Sequence, residues 1–282
     1  MAKYEYGLAE LKPINTNNIT NDLNSKISKM RRMIAESALT VLKKTDNDFF
    51  PLPAKISKGA TDVVYVSVGS NSDNAFAGRM RTDYNADVVY FDYNQDASKI
   101  AAIVADVKKK YKKVIIGVHD YKRTPANNFG LSSNAINLVS QLQQKTKAIT
   151  FVFGNPYAVK NWCDAKNLVA CYEDDDIIQN TAADLLQGTI AAKGKLPVTV
   201  CDAYPFGSGI LTAVASLPQA NAAQLGFDVM QLNKIDSIAN DAINKGATPG
   251  CVVLVVKDGK IAYHKAFGHY NYDNAEPVKL ES

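Results

Sequence analysis

A chain of 282 residues, 46% hydrophobic and 21% charged, has the composition of a globular protein and excludes a fibrous or disordered one. Its 32 basic side chains against 28 acidic ones leave a net charge of +4, too small an excess to point to nucleic acid or an anionic membrane. The apolar runs are strand-sized, so no bilayer span is expected, and Met1 is followed by AKYEYG rather than by the apolar stretch of a secretory signal.

Residues 1–19 are mixed, carry Pro13 and read as a linker or docking arm. From Thr20 the spacing turns helical, with Leu23, Ile27, Met30, Ile34, Ala38 and Leu42 recurring every three or four residues. Thr20 and Asn21 are candidate caps, and the helix is expected to end near Lys44. Five short apolar runs follow, at 62–67 (DVVYVS), 88–91 (VVYF), 114–118 (VIIGV), 148–153 (AITFVF) and 168–172 (LVACY). Helical stretches are predicted between and after them, at about 75–82, 96–110, 132–146, 156–163 and 177–192. Continuous apolar strands alternating with helices predict an α/β fold over 20–202: a mostly parallel sheet with helices on both faces, a flavodoxin-like sandwich. A short run at 197–201 is a candidate edge strand.

Residues 203–224 are rich in Ala, Ser, Gly, Pro and Gln and read as a linker. Beyond them, 228–245 reads as an amphipathic helix, and 251–256 and 260–267 as a hairpin turned by Lys257-Asp258-Gly259. A helix and two strands bury too little apolar surface to fold alone, so 225–282 is expected to be the start of an incomplete domain. The hairpin is expected to keep open edges and an uncovered apolar face, and, if ordered, to pack on the α/β domain or on another copy. A dimer made only through it would be an artefact of truncation.

The four cysteines, Cys163, Cys171, Cys201 and Cys251, are too few for a disulfide framework. Cys163 and Cys171 are near enough in sequence to bridge, but idle or buried thiols are the expectation. No CxxC pair occurs and the three histidines are scattered, so neither a metal nor a cofactor is expected.

Residues 69–78 (GSNSDNAFAG) fit neither GxGxxG nor a P-loop, and their Ser, Asp and Asn serve equally as a helix cap. Ser208 lies in PFGSG, where Phe206 replaces the first glycine of a nucleophile elbow, and no S-x-x-K pair exists. His119-Asp120, with Tyr121, Lys122 and Arg123, follows the carboxyl end of a strand, where α/β folds place functional loops, although surface polarity explains them as well. Glu173 to Asp176 could gather a cation, but their position before a helix favours a helix start. No glutamate occurs between Glu36 and Glu173, so no glutamate acid can come from the loops after the first four predicted strands.

Residues 33–53 (MIAESALTVLKKTDNDFFPLP), 149–158 (ITFVFGNPYA) and 168–199, ending in GKLPVT, resemble the C-terminal α/β domain of glycoside hydrolase family 3. The opening AKYEYGLAELKP resembles the connector that leaves the catalytic barrel in the β-N-acetylglucosaminidase branch. The resemblance implies a parent enzyme whose aspartate nucleophile sits on an N-terminal (β/α)8 barrel outside this chain. In the β-glucosidase branch a glutamate of this domain is the acid/base, and the matching region, 119–131, has none. In the N-acetylglucosaminidase branch an Asp-His pair on the barrel does that work, so the departure suits that branch. His119-Asp120 is not that pair.

Residues 225–268 resemble the opening of a serine β-lactamase or penicillin-binding-protein-like domain, whose S-x-x-K serine the chain lacks. The implied partners are the barrel, a downstream serine-hydrolase domain and, through the parent, a GlcNAc-containing glycan of the cell wall. The family implies export to the periplasm or cell envelope. Catalysis by this chain alone is not expected. If its loops wall the substrate cleft, the candidates are Ser70, Asn71, His119, Asp120, Arg123 and Asn155. The rival expectation is a scaffold or small-ligand module with no part in the glycosidase site.

Overall fold

The computed structural model describes residues 2–7, 16–45, 50–53, 62–215, 217, 219–273 and 276–280. A single helical turn, α1 (Ala2–Glu5), is followed by α2 (Ile19–Asn24) and α3 (Ile27–Ala38). A six-stranded sheet is then built from β1 (Thr40–Lys44), β2 (Val63–Val68), β3 (Asp87–Phe91), β4 (Lys113–Val118), β5 (Ala148–Val152) and β6 (Asn167–Ala170). The strand order is β1-β6-β5-β4-β2-β3, with every pair parallel except β1 against β6. The helices between strands are α4 (Ala75–Tyr84), α5 (Ser98–Lys110), α6 (Ser133–Lys145) and α7 (Asp176–Gln187), with a 3-10 segment at Pro156–Trp162. This is the predicted α/β sandwich.

The strand residues explain the layering. Successive side chains point to opposite faces, and β2, β4, β5 and β6 are apolar on both. Val64, Val66, Ile116 and Val118 pack with α5, α6 and Trp162 on one face. Tyr65, Ile115, Ile149 and Phe151 pack with α3, α4 and α7 on the other. Local caps fix the helix starts: Asn74 Oδ1 accepts from the Ala77 N–H at 2.8 Å, and Asp175 Oδ1 accepts from Ile177 and Ile178. The acidic run before α7 is thus a helix start, as expected.

Several sequence expectations need correction. The helix expected to run from Thr20 to Lys44 breaks at Ser25-Lys26, has no side-chain cap at its start and ends at Ala38. Thr40–Lys44 instead forms β1, because Thr40, Val41 and Leu42 are all buried and pairing with the open side of β6 outweighs a periodic match. The segment at 197–201 adds no edge strand; Cys201 only bridges to Tyr204 in a turn. The helix expected at 228–245 is two, α8 (Val229–Leu232) and α9 (Lys234–Asn244).

A further correction concerns the thiols. Cys163 is bonded to Cys201, and Cys171 is free and buried. A bridge from Cys163 to Cys171 is excluded by the sheet: Cys163 packs on the α5–α6 face and Cys171 on the α4–α7 face. The bond anchors a strap that returns across the sheet edge, where Ile210 N–H donates to Val41 O at 2.7 Å and Ala215 N–H to Gly188 O at 2.8 Å.

The expected amphipathic face of α3 is also inverted. Ile27, Met30, Met33 and Ile34 are 43 to 63% exposed, and Leu23 of α2 is 73% exposed. The side that meets α7 carries Arg32, whose Nη2 reaches Asp184 at 2.6 Å, and Arg79 of α4 reaches the same carboxylate at 2.8 Å.

After the strap, β7 (Gly250–Lys257) and β8 (Lys260–Gly268) form an antiparallel hairpin, with α9 packed against β8. Lys265 Nζ bonds Asp236 of α9 at 2.6 Å, and Gln219 bridges to Ile261. Leu254 and Val256 are exposed, as expected of an uncovered hairpin face.

Candidate functional site

The loops after β4, β5 and β6 open together at the carboxyl end of the sheet, where α/β folds bind ligands. They enclose a cleft of about 830 Å³, closed on one side by Arg31 of α3. Three of the candidate residues line it directly: Asp120, Arg123 and Asn155. Asn155 holds two loops together, accepting from Tyr157 N–H at 3.0 Å and donating to Arg123 O at 2.8 Å. Arg123 is exposed and reaches Glu173 at 3.2 Å.

Ser70 and Asn71 lie outside the cleft. Ser70 is buried in its own turn with Ser72, and Tyr93 stands at the neighbouring switch point, its hydroxyl donating to His119 O at 2.5 Å.

His119 corrects the surface-loop reading, because it is 1% exposed. Its Nε2 lies 2.7 Å from Tyr65 Oη, and its Nδ1 2.8 Å from Asp174 Oδ1. The ring stacks on Phe153 with centroids 4.4 Å apart and planes 13° from parallel. Phe153 is part of the cleft floor and Asp174 part of its wall, so the buried histidine touches both from below. Asp174 also accepts from Gln179 Nε2 and from the Asp120 N–H, each at 2.8 Å. Burial pushes the Asp174 carboxyl up, but the hydrogen bonds from His119, Asp120 and Gln179 outweigh it and hold it below the usual carboxylate range. Burial pushes the Tyr65 hydroxyl well up, so it keeps its proton.

Two glycines make room for this chain of bonds. A Cβ on Gly117 would lie 2.4 Å from both His119 Nε2 and Tyr65 Oη. A Cβ on Gly69 would lie 2.2 Å from His119 O, and its φ of 96° also suits only glycine. Gly117→Ala is therefore expected to cost about 1–3 kcal/mol by overpacking and to part Tyr65 from His119, measured by urea unfolding and by the imidazole nitrogen shifts. An unchanged midpoint and spectrum would contradict the packing described.

Sequence reasoning missed Tyr65, Phe153 and Arg31, and it set Asp174 aside with its acidic neighbours as a helix start. The available signal was a glycine inside a fully apolar strand two residues before a histidine.

No family model matches the chain, and no curated protein sequence matches it. Solved structures do. A β-glucosidase from Listeria innocua superposes with a TM-score of 0.52 at 15% identity, over 77% of this chain and 38% of that one. The β-glucoside phosphorylase BglX gives 0.50 at 17% identity, over 70% and 36%. The glycoside hydrolase family 3 β-N-acetylglucosaminidase from Paenibacillus sp. str. FPU-7 gives 0.48 at 16% identity, over 70% and 37%. The chain thus has a fold found in part of known glycosidases. It spans little more than a third of the length of each of these three proteins.

Proposed function

We propose that this chain is the non-catalytic accessory α/β unit of a retaining β-N-acetylhexosaminidase of glycoside hydrolase family 3 type, acting on GlcNAc-containing glycans in cell-wall turnover. The observation that carries this reading is the state of the carboxylates around the cleft. Retaining glycosidases need one carboxylate free to attack and one acid free to protonate the leaving oxygen. Of the four lining acids, Asp174 is engaged by three donors, Glu173 is paired with Arg123, and Asp175 caps α7 and pairs with Arg31, which leaves Asp120 without a second free carboxylate to complete the pair. Such groups suit a wall that orients a sugar better than a centre that breaks its bond.

The sequence resemblance over residues 20–201 supports the hexosaminidase branch, and residues 225–268 the start of a serine-hydrolase-like domain. The exposed apolar stripe of α3 runs on the helix that carries Arg31 into the cleft. A barrel seated there would cover the stripe and roof the cleft together. The Cys163–Cys201 bond favours an oxidising compartment, in keeping with export.

The test is a family 3 hexosaminidase barrel assayed with 4-nitrophenyl-β-GlcNAc, alone and joined to this chain. The joined protein is expected to show a KM at least about tenfold lower, equivalent to about 1.4 kcal/mol of added substrate binding. Met30→Asp with Ile34→Asp should abolish that gain while shifting the stability of the chain by no more than about 0.5 kcal/mol per site. A barrel indifferent to the chain would favour a scaffold role instead.

A further inference from the structure

We infer that His119 is a positioning residue, held under the cleft between Tyr65 and Asp174 to fix the Asp174 carboxylate and the Asp120–Arg123 loop as a preformed acceptor wall for a neutral, hydroxyl- or amide-bearing ligand. This rests on the wall reading above for the kind of ligand, and on geometry alone for the device.

An ionised Asp174 can only accept, so His119 Nδ1 donates to it, while Nε2 shares a hydrogen bond with the Tyr65 hydroxyl on the other side of the ring. A carboxylate has about four acceptor sites, and His119, Gln179 and Asp120 use three. The remaining one is available to the cleft that Asp174 lines. The cleft carries Asp120, Glu173, Asp174 and Asp175 against Arg31 and Arg123, an excess of acid that repels anions and favours donors. Tyr93, Tyr121 and Cys171 also face Asp174, and burial pushes all three up, so they stay neutral beside it. The device is built rather than incidental: Gly117 and Gly69 leave the space it occupies, and Phe153 clamps the imidazole face. Asp120 itself sits at a φ of 54°, a left-handed position held by its N–H bond to Asp174.

The sign of the pH effect follows. A carboxyl held below its ordinary value stabilises the fold above that value, and the contribution is lost as pH falls through the lowered one. Taking away the histidine donor moves this loss to higher pH.

The test needs no sugar. In the full chain, the Asp174 carboxyl carbon is titrated by NMR and amide exchange is followed at pH 6.5 in wild type, His119→Leu and His119→Gln. Leu keeps the bulk without the bonds, whereas Gln offers a donor and an acceptor. Expected in His119→Leu are a rise of about one pH unit or more in the Asp174 midpoint and at least about tenfold faster exchange at Asp120. Changes should be confined to 119–123 and 172–175, and His119→Gln should recover at least half of each on a logarithmic scale. Should His119→Leu fail to fold, Tyr65→Phe removes only the hydroxyl and should give the same changes at about a third of the size. An unmoved Asp174 midpoint would overturn the inference. So would loosening spread evenly over β4 and β5, which would make His119 a core filler. A separate titration with N,N′-diacetylchitobiose examines the glycan reading: no binding alongside the expected relay changes would sink that reading and leave the role of His119 standing.

Discussion

Reduction of the Cys163–Cys201 bond is expected to lower the melting temperature by about 10 °C. The two cysteines are 38 residues apart, and closing a loop of that size in the unfolded chain is worth about 4 kcal/mol on the chain-entropy account. For a chain of this length about 2–4 °C accompany each kcal/mol. The bond also holds the strap whose backbone pairs with β1, so its loss should speed amide exchange at Ile210 and Ala215 before it reaches the central strands. Cys163→Ala, Cys201→Ala and the double substitution should all fall by the same amount, because each removes the same crosslink. Cys171→Ala should behave as a small core change. A melting temperature indifferent to reductant would contradict the pairing.

Phe153→Ala is expected to be comparably damaging, costing about 3–5 kcal/mol in urea unfolding. The ring is buried, with Phe76 at 5.2 Å, Phe151 at 6.3 Å and His119 stacked on it, so its removal empties the place where core and cleft meet. The surrounding side chains belong to a strand end and a capped helix and have little freedom to close the gap. Phe153→Leu, which keeps most of the volume, should lose less than half as much. In the alanine variant the His119 ring also loses its support, so the Asp120 amide should exchange faster at pH values where the protein is still folded. A cost below about 1 kcal/mol would show that the aromatic cluster is not the hub it is described to be.

The sheet was largely legible in the sequence, for a physical reason. Parallel strands buried on both faces must be apolar throughout, and DVVYVS, VIIGV and AITFVF have no other reading at that length. Helix starts were legible wherever a side-chain cap exists, as at Asn74 and Asp175. What escaped notice depended on partners distant in sequence. β1 exists because β6 needs a neighbour, and Leu42 falls in helical register with Ala38 by coincidence. Periodicity identified the apolar stripe of α3 but not its direction, because α7 offers that helix an aspartate, Asp184, and Arg32 turns inward to meet it. The disulfide was obscured by the short spacing of Cys163 and Cys171, which the sheet separates. His119 looked like surface because Asp120, Lys122 and Arg123 surround it in sequence; its burial is set by Tyr65, 54 residues earlier, and Asp174, 55 residues later.

The division of labour between wall and catalytic centre is most directly tested by incubating the chain alone with 4-nitrophenyl-β-GlcNAc and following 4-nitrophenol. No release above the uncatalysed rate is expected, since the acids beside Asp120 are already bonded. Release that disappears in Asp120→Asn or Asp174→Asn would place the chemistry in this cleft and contradict the accessory role.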